Sequence, residues 1–277
     1  MNTLTVPDRS GLPTLKSVCL KDREFVPCPK VFCTVVVSKK TPSKYKARLC
    51  ARGDMLKNFI REYVSAPTVT RSTPRILIAL AGTLRFELDT DDISSAFTQS
   101  SPMAPNQRVI LILPWYLNCP WDQRIQMKRG ETPTQCGMLT AKPIYGETCA
   151  PLRRLAKISE VFRWSGWHQC SVDPCVYRFE KEGVLLGMAA IHVDDVLFGF
   201  HPDNWDIAER AIQTFTHSGL AKLDINVAVV YLGLDIIRRV DCVEISQPSF
   251  RIDYLPLMFL TCRMLMVPHC PLADCFL

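Results

Sequence analysis

The run Val184 to Phe200, VLLGMAAIHVDDVLFGF, constrains the fold more than any other stretch, because two short apolar segments meet there at adjacent carboxylates, Asp194 and Asp195. Val, Ile, Leu and Phe dominate both segments, so the pattern fits two half-buried strands folded as a hairpin with the acids at its turn. Two carboxylates side by side next to an apolar core repel each other and lose hydration. Either the turn is fully exposed, as turns containing Asp commonly are, or a bound cation compensates the charge. The cation reading needs a third carboxylate from elsewhere in the chain.

The sequence offers one in Leu84 to Ser100, LRFELDTDDISSAFTQS. Phe86, Leu88 and Thr90 alternate with Glu87, Asp89 and Asp91, which is the period of a strand, and carboxylates accumulate at its end. The following ISSAF reads as a turn into a short helix. If this strand lies beside the hairpin, Asp92 converges with Asp194 and Asp195 on one sheet edge. Three carboxylates there make a hard-oxygen site suited to Mg²⁺ rather than to a thiophilic metal. Two such ions about 3.5–4 Å apart can activate an attacking 3′-hydroxyl and stabilise a leaving pyrophosphate, which is nucleotidyl transfer.

The other segments supply a support for such a site. Residues 1 to 30 hold Pro7, Pro13, Pro27 and Pro29 without sustained periodicity and read as an irregular lead-in. Val31 to Ser38 is a strand, followed by a turn and a second strand from Tyr45 to Ala51. From Pro74 the run RILIALAGTL has helical spacing, with Gly82 as its stop. Arg108 to Trp115 reads as a strand, whereas Pro120 to Pro143 gives no clear pattern. Leu152, Leu155, Ile158 and Phe162 share one face of a helix whose basic residues lie on the other. Val172 to Phe179 contains a strand leading to the hairpin. Ile207, Ala211, Ile212 and Phe215 mark a second helix face, with Asn204 as cap and Gly219 as stop. VVYLGLDIIRR reads as one further strand, which CVEISQPSF can pair. Interleaved strands and helices of this kind predict an α+β domain with helices against one face of an antiparallel sheet.

Charge adds a partner class. Between Lys39 and Arg61 stand eight basic residues (Lys39, Lys40, Lys44, Lys46, Arg48, Arg52, Lys57, Arg61) and one acid, Asp54, giving +7, while the whole chain of 277 residues carries +6. A nearly neutral body with one concentrated basic segment suits a polyanion such as nucleic acid or a nucleoside triphosphate. The 13 cysteines are odd in number, scattered and free of CxxC pairs, which predicts free thiols in a reducing, intracellular compartment. Cys262, His269, Cys270 and Cys275 match no common zinc spacing. Charged residues interrupt every apolar run before membrane length, so no membrane partner is expected.

Seven motifs then stand in a recognisable order: YKARLCARG (Tyr45 to Gly53), SAPTVTRSTPRILIALA (Ser65 to Ala81), LDTDDISSAF (Leu88 to Phe97), YGETCAP (Tyr145 to Pro151), VDPCVYRF (Val172 to Phe179), HVDDVLF (His192 to Phe198) and YLGLDI (Tyr231 to Ile236). Through them the chain resembles the reverse transcriptase of copia-type LTR retrotransposons from about Val31 to Phe250. The resemblance implies a fingers-and-palm fold over residues 31–245, followed at 246–277 by the start of a thumb or connection cut short. It implies an RNA-directed DNA polymerase that uses two Mg²⁺ ions, with Mn²⁺ as an alternative. Asp92 and Asp194 are then the principal metal ligands and Asp195 the weaker third acid. Lys46 and Arg48 contact the incoming triphosphate, Phe97 lies against the sugar, and Tyr145 and Gly146 support the templating pair. Expected partners are an RNA or DNA template with its primer, dNTPs, and other retrotransposon Pol segments that this chain lacks. The expected locations are cytoplasmic virus-like particles and the nucleus.

The chain also departs from that pattern. His192 stands where the family carries an aromatic residue and reads either as a satisfied strand residue or as a change that perturbs primer placement. Glu147-Thr148-Cys149 replaces the usual Leu-Lys-Gln, and Arg154 stands in place of a tryptophan. These changes, with the missing thumb, favour an alternative in which a decayed copy retains only nucleic-acid binding. A phospho-receiver domain also uses adjacent acids at a strand end, but its acids belong near the start of a short domain.

Overall fold

The computed structural model describes residues 13–56, 65–114, 136–215, 221–240, 242–247 and 262–265. In chain order its strands are β1 (Leu15–Cys19), β2 (Lys30–Thr41), β3 (Lys44–Ala51), β4 (Glu87–Asp92), β5 (Ile110–Ile112), β6 (Cys136–Thr140), β7 (His168–Gln169), β8 (Val176–Lys181), β9 (Val184–His192), β10 (Asp195–Phe200), β11 (Ala221–Lys222), β12 (Ala228–Tyr231), β13 (Leu234–Arg238), β14 (Cys242–Ser246) and β15 (Cys262–Leu265). The helices are α1 (Thr73–Leu84), α2 (Ala150–Trp164) and α3 (Asp206–Ile212). The protein is thus a mixed α+β chain with few helices and mostly antiparallel sheets. It divides into two compact units, one of residues Met1–Ala66 and Ala96–Lys157 and one of Pro67–Ser95 and Ile158–Leu277. Among the described residues no helix is long and apolar enough to cross a membrane.

The first unit is built on a five-stranded sheet of order β1-β6-β5-β2-β3, antiparallel except where β2 runs parallel to β5. Alternation along β2 sends Val31 and Cys33 inward, where they pack with Leu49, Leu56, Leu111 and Ile144. The lead-in expected to be irregular up to residue 30 instead contributes β1, whose Leu15 and Val18 are buried. Its pairing with β6 was hidden because β1 is short and its partner lies more than a hundred residues away. The strand expected from Arg108 to Trp115 is limited to β5, and Trp115 lies outside the described residues.

The second unit contains a six-stranded antiparallel sheet of order β11-β4-β10-β9-β8-β7, and a four-stranded antiparallel sheet of order β12-β13-β14-β15. The expected central hairpin is β9 and β10, paired from Asp195↔His192 to Phe200↔Gly187. Val196, Phe198 and Phe200 face one side, where they meet Phe162 of α2, Ile207 and Ala211 of α3, and Trp167 and Tyr177. Phe162 stacks on Phe198 with ring centroids 6.1 Å apart and lies 4.9 Å from Tyr177.

Helices cover both faces of this sheet, which corrects the expectation of helices on one face. Gly199 points the opposite way from its neighbours Phe198 and Phe200, and a Cβ there would meet Ala81 and Leu77 of α1. The reason is that β9 and β10 are apolar at almost every position, so each face needs a cover. Helix α1 supplies it by burying Pro74, Leu77, Ile78 and Ala81, and it runs on through Gly82 to a left-handed cap at Arg85 (φ 56°). Gly82 is therefore no stop.

Other local differences have simple causes. VVYLGLDIIRR is not one strand but the hairpin β12–β13, turned at Leu232 (φ 51°) and Gly233 (φ 74°). Helix α3 is preceded by a 3₁₀ turn, Pro202–Asn204, so Asn204 is not its cap and Trp205 takes that place. β15 extends the sheet of β12 to β14, within the 246–277 segment that the resemblance assigns to the start of a thumb or connection. Lys57, Arg61, Gly219, the side chains of Lys40 and Lys44, residues 1–12, most of Pro120 to Pro143, and the side chains of Cys262, His269, Cys270 and Cys275 lie outside the description.

Candidate functional site

The carboxylates of the second unit meet through strand register. β10 pairs with β4 so that Asp195 stands opposite Asp92, and with β9 so that Asp195 stands opposite His192. Directly opposed residues of antiparallel strands have Cβ atoms about 4.5–5.5 Å apart on one face. Asp194 occupies the two-residue turn with Val193, and its carbonyl accepts the Ile93 N–H at 2.8 Å, tying the end of β4 to the hairpin. Val193 has φ 54°, a left-handed conformation at the first turn position that suits the right-handed twist of the strands. For a β-branched residue this is a strained backbone held by its surroundings. Asp195 begins β10 rather than sitting in the turn.

Burial and charge act together on these acids. Asp92 is exposed, while Asp194 and Asp195 are half-buried. Burial first, then the neighbouring charges of Asp194 and Asp92, push the Asp195 carboxyl up to about 6. Among the described residues no group of three His, Cys, Asp or Glu side chains is arranged to hold a metal ion as it stands. The donor chemistry nevertheless fits a hard divalent cation, since three carboxylates repel one another at one sheet edge and a cation would relieve that repulsion. Nδ1 of His192 is buried and makes no hydrogen bond, so this histidine is not the satisfied strand residue its position suggested. Asp89 and Asp91 alternate onto the opposite face and are buried there.

The first unit assembles another expected set. Lys46 and Arg48 lie two residues apart on β3 and so project from one face of the β2–β3 ribbon. The Arg48 guanidinium carbon lies over the Tyr145 ring, 5.5 Å from its centroid, within reach of a cation–π contact. Phe97, on the 3₁₀ turn Ala96–Gln99, meets the same tyrosine edge to face, with centroids 4.9 Å apart and planes at 83°. The Tyr145 backbone is strapped to β3 by the Ala51 N–H donating to its carbonyl at 2.8 Å. Gly146 follows at φ 85°, where any Cβ would collide with the Ala51 carbonyl oxygen, and a Cβ on Gly53 would collide with the Gly146 carbonyl oxygen. Arg48, Phe97, Tyr145 and Gly146 thus come together from three separate segments.

No family model and no curated protein matches the chain.

Two further buried ionisable side chains of the first unit were missed by sequence reasoning. Glu147 is 4% exposed. Burial pushes its carboxyl up to about 7, against the weaker opposing pull of the Ile144 backbone, Thr140 and Arg153. Arg154, expected on the exposed face of α2, is 1% exposed. The buried stripe of that helix runs through Ala150, Arg154, Ile158, Val161 and Phe162, one step round from the stripe drawn through Leu152 and Leu155. Cys28, Cys33, Cys50, Cys149, Cys170, Cys175 and Cys242 carry free thiols.

Proposed function

We propose that this chain is the fingers and palm of a copia-type retrotransposon reverse transcriptase, an RNA-directed DNA polymerase that joins dNTPs to a primer 3′-hydroxyl. The observation that carries the reading is the register of β4 against β10, which sets Asp92 opposite Asp195 with Asp194 in the adjoining turn. Sequence spacing alone left the pairing of those strands open. The Arg48–Tyr145–Phe97 cluster supports the same reading, because the resemblance assigns Arg48 and Phe97 to the incoming nucleotide and Tyr145 to support of the templating pair. The antiparallel order of the six-stranded sheet argues against a phospho-receiver, whose acids end the strands of a parallel sheet.

In this reading Asp92, Asp194 and Asp195 hold two Mg²⁺ ions. When bound, those ions supply Lewis-acid stabilisation to the attacking and leaving oxygens. The protein's own part is positional. The strained turn at Val193 fixes Asp194, and the Ile93–Asp194 hydrogen bond keeps β4 and the hairpin in step. Lys46 and Arg48 neutralise triphosphate charge. Phe97 excludes a 2′-hydroxyl, because a phenyl ring leaves that oxygen neither space nor a hydrogen-bond partner.

A second reading has its own observation. Glu147 and Arg154 are buried where the family carries apolar side chains, and such losses accumulate in a copy that retains binding without chemistry. Primer extension on poly(rA)/oligo(dT) with Mg²⁺ and dTTP separates the two. The polymerase reading predicts template-dependent elongation. Binding of the duplex without any elongation establishes the second reading and removes the first.

A further inference from the structure

We propose that Tyr145 is a positioning residue that holds the Phe97 ring and the Arg48 guanidinium together, so that sugar selection and triphosphate binding are coupled through one side chain. The inference rests on the polymerase reading and deepens it by assigning Tyr145 a specific task within the nucleotide site.

Three features carry it. First, Tyr145 touches both partners with one ring, which meets Phe97 at a right angle and lies under Arg48. Second, the anchor is fixed in the backbone. The Ala51–Tyr145 hydrogen bond, the bridge between Cys50 and Tyr145, and the closely packed backbones of Gly53 and Gly146 leave Tyr145 one place relative to β3. Third, the two partners depend on that anchor. Phe97 is half-buried on a four-residue 3₁₀ turn that follows Ser95 at φ 50°, and a turn this short does not hold a ring by itself. Nε of Arg48 is buried and makes no hydrogen bond, so the aromatic face orients the guanidinium while this N–H is left for an anion.

An edge-to-face pair and a cation–π contact each correspond to roughly two- to tenfold in population of the held geometry. Loss of the tyrosine ring therefore releases both partners at once. A residue that acted only through general packing would lower turnover of all nucleotides alike.

The test measures kcat and KM for dTTP and UTP in primer extension by the parent, Tyr145→Phe, Tyr145→Leu, Phe97→Ala and the Tyr145→Leu/Phe97→Ala double variant, with circular dichroism melts of each. Tyr145→Leu is expected to raise the KM for dTTP and the UTP:dTTP preference, each by roughly tenfold. Tyr145→Phe, which keeps the ring, is expected to stay within about twofold of the parent in both. In the Phe97→Ala background, Tyr145→Leu should leave the preference unchanged while still raising KM, since no ring remains to be positioned. Equal losses for dTTP and UTP in Tyr145→Leu, or a full additional change of preference in the double variant, overturn the inference while leaving an active parent as a polymerase. A parent that extends no primer overturns the polymerase reading and this inference with it. Should Tyr145→Leu fail to fold, Tyr145→Met carries the same comparison with closer volume.

Discussion

Replacing Glu147 should change how stability depends on pH. The carboxyl lies 4% exposed, and burial moves it from an ordinary value of 4.5 to about 7. Below 4.5 the folded and unfolded chains both hold the proton, and the group has no pH-dependent effect. Between 4.5 and 7 the unfolded chain ionises while the folded chain keeps its proton, so stability falls as pH rises. Above 7 the full penalty is present. At about 1.36 kcal/mol per pH unit, that displacement amounts to about 3 kcal/mol. Glu147→Gln keeps the shape and removes the ionisation, and Glu147→Leu restores an apolar side chain. Urea unfolding at intervals from pH 4 to pH 8 measures the difference. The parent should lose about 3 kcal/mol more than either variant across that range, with the loss concentrated between pH 4.5 and 7. Using the slope rather than a single pH separates the effect from any cost of burying the Gln amide. Parallel pH profiles for parent and variants would show that Glu147 is hydrated or paired in the folded chain, and would refute the reasoning.

Three further outcomes follow from the packing and the basic ribbon. Phe198→Ala removes the ring between Phe162 and Trp167 and should cost about 3–5 kcal/mol in urea unfolding; a cost under about 1 kcal/mol would mean that the aromatic core closes over the gap. Gly146→Ala forces a Cβ toward the Ala51 carbonyl at φ 85° and should destabilise by about 2 kcal/mol or more, which thermal melting would detect; an unchanged melting temperature would contradict the strapped geometry. Lys46→Ala/Arg48→Ala should weaken triphosphate binding more than duplex binding and flatten the logarithmic salt dependence of nucleic-acid affinity by roughly two units. Fluorescence anisotropy at several salt concentrations reads that slope, and an unaltered slope rejects the role of these two side chains.

How far the sequence alone could be read follows from the range of each signal. The β9–β10 hairpin was legible because its apolar runs and turn acids lie within seventeen consecutive residues, Val184 to Phe200. Helix α1 and the core face of α3 were legible for the same reason: their periodicity is local. The convergence of Asp92 on the hairpin was an expectation conditional on strand pairing, and only the β4–β10 register supplies the pairing. Strand β1 was invisible because its partner β6 is remote in sequence and lies within the unreadable stretch from Pro120 to Pro143. The hairpin β12–β13 was read as one strand because Leu232-Gly233 interrupts the apolar run too briefly, although a two-residue break containing Gly is a hairpin signal. Arg154 was misread because charge is ordinarily taken to mean exposure, and nothing local marked Glu147 as buried. Their burial depends on how the helix stripe is drawn and on a strapped loop that no short window contains. The contacts among Arg48, Phe97 and Tyr145 join segments about fifty residues apart, so the resemblance named these residues without indicating that they touch.

The most direct measurement of the carboxylate site is primer extension on poly(rA)/oligo(dT) with Mg²⁺ by the parent, Asp92→Asn and Asp194→Asn, with the fold of each checked by far-UV circular dichroism. The convergence of β4 on the β9–β10 hairpin predicts that the parent elongates the primer and that either exchange alone lowers the rate by at least about a hundredfold while the spectrum is unchanged. Elongation that persists in a folded Asp92→Asn or Asp194→Asn variant would contradict it, because two carboxylates that hold the same ions cannot be dispensed with one at a time.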